Sequence, residues 1–204
     1  MLLLRECTSK PLRLARQVWD SVLDQRDLYN AIDTLGGVAV KLRAYRQVSE
    51  SRDCLSGEGA RRFGGRWNPP GSFPTIYTSL ELATAIAELE RLMQRQRRTL
   101  RDLLPRRICE IDAVLTSVLD LRTSNSLTTV GLNLEQVRGN DVAPCQTIGQ
   151  AAHQLGFEGV IVPSATESGT NLAIFELNTR PESRLEVGRY YTLAITSEPH
   201  DPIE

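Results

Sequence analysis

The sequence predicts an α+β fold, and three observations carry that prediction. Segments with helical and strand periodicity follow one another without the regular strand–helix–strand rhythm of a doubly wound sheet. The chain has 204 residues of which 41% are hydrophobic, enough to bury one core. No internal repeat or low-complexity tract divides it, so one main domain with a small appendage is expected.

From Pro11 to about Leu35, the apolar residues Val18, Trp19, Val22, Leu23, Tyr29 and Ile32 recur at helical intervals among charged ones, which predicts one or two amphipathic helices. Gly36 and Gly37 break that pattern, and Val38 to Val48 carries the alternation and β-branched content of a strand. The break divides the chain into an N-terminal helical extension, 1–37, and a main domain, 38–204. Ser49 to Gly71 holds five glycines and two prolines and predicts a long loop held by its own contacts or by a ligand.

A short strand at Thr75 to Thr78 precedes a helix from about Leu80 to Arg98, with Ser79 as its N-cap and Leu82, Ile86, Leu89 and Met93 as its apolar stripe. Strands are expected at Arg107 to Val114, Gly159 to Val162 and Asn171 to Glu176, with a last one from Leu185 to Ile195. A helix from Thr147 to Leu155 ends at Gly156.

Lys and Arg total 24 against 25 Asp and Glu, so no global positive field draws the protein onto nucleic acid or an anionic membrane. The apolar start, Met1 to Leu4, gives way at once to Arg5 and Glu6 and does not read as a signal peptide. No apolar run approaches the ~20 residues that span a bilayer, and the expected location is the cytoplasm, with no membrane contact. Cys7, Cys54, Cys109 and Cys145 are scattered without a CxxC pair, and only His153 and His200 can join them. Neither a zinc site nor a disulfide is expected.

The densest chemical signal is Gly57-Glu58-Gly59-Ala60-Arg61-Arg62-Phe63-Gly64-Gly65-Arg66-Trp67-Asn68-Pro69-Pro70-Gly71. Glycines let backbone N–H groups approach a ligand, and an arginine fork among them suits the oxygens of a pyrophosphate. A tight surface turn with a solvated arginine and a buried tryptophan has the same composition. The string matches neither GxGxxG opening a helix nor GxxxxGK[ST], which sets aside Rossmann and P-loop readings. Arg91, Arg95, Arg97, Arg98, Arg101, Arg106 and Arg107 form a basic stretch without interleaved aromatics, which reads as a solvated helix end and loop and not as a nucleic-acid site. His153 reads as a helix C-terminal residue favoured by the dipole.

Taken together, Tyr45-Arg46, Gly64-Gly65-Arg66-Trp67-Asn68-Pro69-Pro70-Gly71, Ile76-Tyr77-Thr78-Ser79, Glu88, Gly159-Val160-Ile161-Val162-Pro163-Ser164 and Asn171 resemble the RES family, named for an arginine, a glutamate and a serine. The likeness runs from about residue 42 to 178. It implies a fold similar to ADP-ribosyltransferases, with mixed sheets around a cleft, and a toxin of a bacterial toxin–antitoxin pair that cleaves NAD by water or phosphate. It also implies a catalytic set of Arg46, Arg66, Tyr77, Glu88 and Ser164, and a nucleotide-binding set of Arg46, Gly65, Arg66, Trp67, Asn68, Tyr77, Ser164 and Asn171.

No permanent cofactor or metal is implied; NAD is the substrate, with inorganic phosphate as a co-substrate. The implied partner is an antitoxin with a helix-turn-helix domain of the Xre type. The extension lies outside the likeness and is open to three uses: packing on the domain, forming a homodimer face or seating the antitoxin.

The residue types fit that chemistry. Nicotinamide leaves as a neutral base and the ribose passes through an oxocarbenium-like state, so negative charge is needed beside it, and Glu88 can supply it. Arg46 and Arg66 can clamp the pyrophosphate or seat a phosphate, and Tyr77 can stack on the nicotinamide or ribose. Ser164 has no histidine to activate it and suits hydrogen bonding to a phosphate or the carboxamide. Two rivals stay open: a protein ADP-ribosyltransferase, and an idle nucleotide-binding module.

Overall fold

The computed structural model describes residues 25–166 and 169–193. Of the expected N-terminal helices, Pro11 to Asp24, with Val18, Trp19, Val22 and Leu23, lies outside the described residues, as do Ala194 and Ile195 of the expected last strand. The elements are α1 (Gln25–Leu35), β1 (Gly37–Ser49), α2 (Glu58–Phe63), β2 (Thr75–Ser79), α3 (Leu82–Gln96), α4 (Leu100–Leu103) and β3 (Arg106–Asp120). They continue as α5 (Ser124–Thr129), α6 (Leu134–Arg138), α7 (Ala143–Gln154), β4 (Gly159–Pro163), β5 (Thr170–Phe175), a 3-10 turn at Glu176–Asn178, and β6 (Arg184–Leu193). The fold is α+β, as the mixed periodicities predict.

The sheet runs in the order β1-β2-β5-β4-β3-β6, and β1 also pairs with β3, so the first five strands form a ring. Among the described residues, only the β3–β4 pairing is parallel. Alternation along the strands sorts the core into two regions. Ile76, Leu115, Ile161, Leu172 and Ile174 pack together inside the ring, with Val40 and Leu42 of β1 against them. Val160, Val162, Ala173 and Phe175 face outward and pack on Leu28 and Ile32 of α1, Val137 of α6, and Ile148, Ala151 and Ala152 of α7. Leu28 and Ile32, one turn apart, put the described part of the extension into this same core.

Strand β3 is longer than Arg107 to Val114 because its second half has a tertiary partner. Glu158 is fully buried, and its Oε2 accepts from Thr116 N (2.6 Å), Thr116 Oγ1 (2.9 Å) and Ser117 N (2.8 Å), while Oε1 accepts from Arg180 N (3.0 Å). Burial pushes this carboxyl up, but the Ser183 hydroxyl nearby, the Arg180 amide and Thr116 outweigh it and hold its pKa below the ordinary value. A depressed folded pKa means that the charged form is favoured by folding. The stability it contributes is present at neutral pH and is lost as pH falls through the folded pKa. Urea unfolding is therefore expected to show Glu158→Gln about 1–3 kcal/mol less stable than wild type at neutral pH and less sensitive to acidification below about pH 5. Parallel acid profiles for the two proteins contradict this.

Three local expectations are corrected. Cys54 and Cys109 are joined in a disulfide, with Cα atoms 6.2 Å apart, between Val48 and Ile111. The 49–57 loop folds back over β3 and brings the two sulfurs within disulfide reach, a tertiary proximity that the spacing of the cysteines does not reveal. Ser79 is the last residue of β2 and not the helix cap; Glu81 takes that position, and its carboxyl accepts from Thr84 Oγ1 and Thr170 N, both at 3.0 Å. His153 does lie in the last turn of α7, but its ring stacks on Phe73 at 3.9 Å between centroids and meets Phe175 edge-on, and burial lowers its pKa. A neutral ring in an aromatic stack, not a dipole contact, accounts for it.

Candidate active site

Helix α3 sits rotated from its expected orientation. Thr84, Ala85 and Leu89 are its buried residues, whereas Leu82 and Ile86 are exposed. The rotation turns Glu88, which follows Ala85 by three residues, toward the ends of β4 and β5. There Glu88 Oε1 accepts from Ser164 Oγ and from Asn171 Nδ2, each at 2.7 Å. Ser164 is 1% exposed, just beyond β4; Asn171 is the second residue of β5, and Ser79 Oγ donates to its Oδ1 at 2.8 Å. Among the described residues, nothing donates to Glu88 Oε2.

Arg66 approaches from the glycine-rich loop. Its Nη2 donates to the Gly139 carbonyl at 3.0 Å, and its Nη1 is buried without a hydrogen-bond partner. Arg66 lies close enough to Tyr77, Arg91 and Cys145 to bias all three toward deprotonation; burial is nonetheless the larger influence and raises the Tyr77 and Cys145 pKa values. Arg91 also feels Glu88, whose charge favours the guanidinium form. Arg66, Arg91 and Glu88 therefore share one electrostatic neighbourhood.

Tyr77 holds the loop in shape. Its hydroxyl donates to Asn68 Oδ1 and accepts from Trp67 N, both at 2.8 Å. A Cβ at Gly65 would lie 2.4 Å from that oxygen, so only glycine allows the loop to pass over the ring. Asn68 is 0% exposed and its Nδ2 donates to the Ala60 carbonyl at 2.8 Å; Trp67 is 2% exposed and belongs to the outer core. Neither side chain is open to a ligand, so both build the loop. The Tyr77 ring is half-buried, with its phenol committed to Trp67 and Asn68.

Arg46 lies elsewhere. Tyr45 faces Ser79 across β1 and β2, and Ser79 faces Asn171, so alternation points Arg46 to the opposite side of the sheet from those residues. Its Nη1 and Nη2 donate to the carbonyls of Cys54 and Ser56 at 2.7 and 2.8 Å. Burial lowers its pKa to about 10, with Asp53 and Glu176 opposing. The resemblance sends both arginines to one cleft. Among the described residues no contact joins Arg46 to Arg66, Glu88, Ser164 or Asn171, and its fork is spent on the 53–57 loop.

Of the seven arginines that the sequence marks as a solvated stretch, Arg91, Arg106 and Arg107 are held by partners. Arg91 donates to the carbonyls of Ala165 and Arg138, Arg106 to Gln47, and Arg107 to the Arg52 carbonyl while lying over the Tyr190 ring. Among the described residues, no group of three or more His, Cys, Asp or Glu side chains is placed to hold a metal ion, and no helix is long and apolar enough to cross a membrane.

A carboxyl presented by a serine and an asparagine, beside an arginine on a glycine-rich loop, is the arrangement that unites the quoted motifs, and the chain belongs to the RES domain family, matched over residues 42–196. Among its relatives is the NAD(+) phosphorylase MbcT of Mycobacterium tuberculosis, 40% identical over 156 residues, which is 76% of this chain and 84% of the relative. The Mycobacterium bovis protein of the same name is also 40% identical over 156 residues. The fold is similar to that in the crystal structure of the M. tuberculosis MbcT-MbcA toxin-antitoxin complex, with a TM-score of 0.76 and 38% identity over 82% of this chain and 92% of that one.

Proposed function

We propose that this chain is the toxin of a bacterial toxin–antitoxin pair and that it depletes NAD by cleaving the nicotinamide–ribose bond, with inorganic phosphate as the acceptor. The observation that carries this reading is Glu88, held through one oxygen by Ser164 and Asn171 while the other takes no donor among the described residues. An oxocarbenium-like ribose needs such a preorganised negative charge, and fixing it in advance removes the cost of reorganisation during the reaction. The name of the mycobacterial relatives supports phosphate as the acceptor.

In the reaction the C–N glycosidic bond breaks, nicotinamide leaves neutral with the electron pair, and a phosphate oxygen forms the new bond to the anomeric carbon. Arg66, half-buried and with its Nη2 resting on Gly139, would seat the pyrophosphate or the incoming phosphate. Ser164, buried, would hold Glu88, and Asn171, half-buried, would hold it and contribute a polar contact at its rim. Gly65, Trp67, Asn68 and Tyr77 would shape the loop that presents Arg66, and the half-buried Tyr77 ring would stack on the sugar or base. Arg46 enters as the residue that fixes the 53–57 loop.

The domain that carries this reaction would be 38–204, with 1–37 as its helical extension, acting in the cytoplasm where its substrate lies. The toxin–antitoxin complex of the relative supports an antitoxin partner, which we take to be of the helix-turn-helix, Xre type.

The test is to incubate the purified full chain, freed of any antitoxin, with NAD in the presence and absence of phosphate and to identify the products. Equal amounts of nicotinamide and of ADP-ribose phosphorylated at its anomeric carbon are expected, with release slowed when phosphate is withheld. ADP-ribose formed at a rate indifferent to phosphate makes water the acceptor, and label from NAD on a protein band makes it a protein. No nicotinamide under any condition leaves the idle-module reading.

A further inference from the structure

Arg91 is not among the residues the family likeness points to, and its sequence context suggests only a solvated helix face. The contacts say otherwise. Arg91 follows Glu88 by three residues, so the two side chains leave α3 on one face. Its Nη1 donates to the carbonyl of Ala165, the residue after Ser164, and its Nη2 donates to the carbonyl of Arg138 at 2.8 Å. The next carbonyl along, that of Gly139, is the one that receives Arg66 Nη2. One planar guanidinium thus fastens α3 both to the segment that holds Glu88 and to the loop on which Arg66 rests.

The site needs such a fastening. Glu88, Ser164 and Arg66 come from three separate segments, and a displacement of about 1 Å at a reacting centre is enough to cost on the order of 100-fold in rate. The two arginines repel each other, yet both are drawn to the consecutive carbonyls of residues 138 and 139, which offset that repulsion. Both Nη groups of the Arg91 fork are used, and a lysine ammonium, a single point of charge, cannot span the same two carbonyls.

We infer that Arg91 is a positioning residue for the cleavage of NAD: it clamps the 164–166 segment to the 138–139 loop and so holds Glu88, Ser164 and Arg66 in register. The chemistry in this statement rests on the proposed function; the clamp itself does not.

The experiment measures steady-state NAD cleavage and backbone hydrogen exchange together in full-length Arg91→Gln and Arg91→Lys, with Arg95→Gln, an exposed position one turn further on, as control. Expected are a fall in kcat of about 100-fold for Arg91→Gln with KM for NAD within about 3-fold, only partial rescue by Arg91→Lys, and faster exchange in peptides covering 163–166 and 136–139. Arg95→Gln is expected to leave rate and exchange unchanged. Should Arg91→Gln not fold, Arg91→Lys, which keeps charge and stem, carries the same readouts. Unchanged exchange, full activity in Arg91→Lys, or a KM effect without a kcat effect overturns the inference. If wild type cleaves no NAD, the proposed function fails on its own, and exchange alone decides the clamp.

Discussion

Glu88→Gln is expected to lower nicotinamide release at least ~100-fold while leaving the fold intact. The substitution isolates charge from shape. A glutamine amide oxygen can still accept from Ser164 Oγ and Asn171 Nδ2, the two donors now at 2.7 Å on Oε1, so the local hydrogen bonds survive. What disappears is the negative charge that the second oxygen presents to the developing cation on the ribose. Glu88→Ala is a poorer test, because it leaves Ser164 and Asn171 without their acceptor. Kinetics at saturating NAD beside a thermal melt decide the matter: a variant within about 3-fold of wild type means that the carboxylate does not face the reacting sugar.

Gly149→Ala is expected to destabilise the protein by about 1–3 kcal/mol and to take activity with it. The sign is what makes this prediction discriminating. In a helix interior, exchanging glycine for alanine ordinarily stabilises by up to ~1 kcal/mol. Here a Cβ on residue 149 of α7 would lie 1.9 Å from the Trp67 carbonyl oxygen and 2.7 Å from its carbon, which are backbone atoms with little room to move. The same helix sends Gln146 Nε2 to the Gly65 carbonyl at 2.9 Å, so α7 is the bed on which the Arg66 loop lies. Pushing the loop off that bed moves Arg66. A urea titration showing Gly149→Ala as stable as wild type contradicts the close approach.

Much of the site was readable because its motifs are local. The glycine-rich string, the Ile76-Tyr77-Thr78-Ser79 motif and the Pro163-Ser164 corner each declare themselves over a few residues, and the structure joins Ser79, Glu88, Ser164 and Asn171 by direct hydrogen bonds. What failed was whatever depends on orientation. An apolar stripe of Leu82, Ile86, Leu89 and Met93 describes α3 equally well as the face that is buried, and only packing against the sheet selects the rotation that turns Glu88 inward. Arg46 and Arg66 look alike along the chain, but a strand alternates, and a single register pair, Tyr45 with Ser79, sends the Arg46 side chain to the other face.

The resemblance places Trp67 and Asn68 in the nucleotide-binding set, and the structure buries both, Trp67 in the outer core and Asn68 within its own loop. Four short helices, α2, α4, α5 and α6, are not marked by the periodicity of the sequence, although α5 and α6 carry local caps. Thr123 accepts from Ser126 N, and Asn133 and Gln136 form a capping box, both spacings visible in sequence. Arg91 could not be found this way, since its partners are main-chain carbonyls contributed by distant segments and leave no mark on side-chain identity.

Glu88 and Arg66 would bracket a bound dinucleotide across the seam between α3, the glycine-rich loop and the start of β5. The most direct test is a crystal structure of the slowed Glu88→Gln variant soaked with NAD. The nicotinamide-bearing ribose should lie within hydrogen-bonding distance of residue 88, with phosphate oxygens on Arg66. Density for NAD at any other surface, with that seam left to solvent, would contradict this placement of the active site.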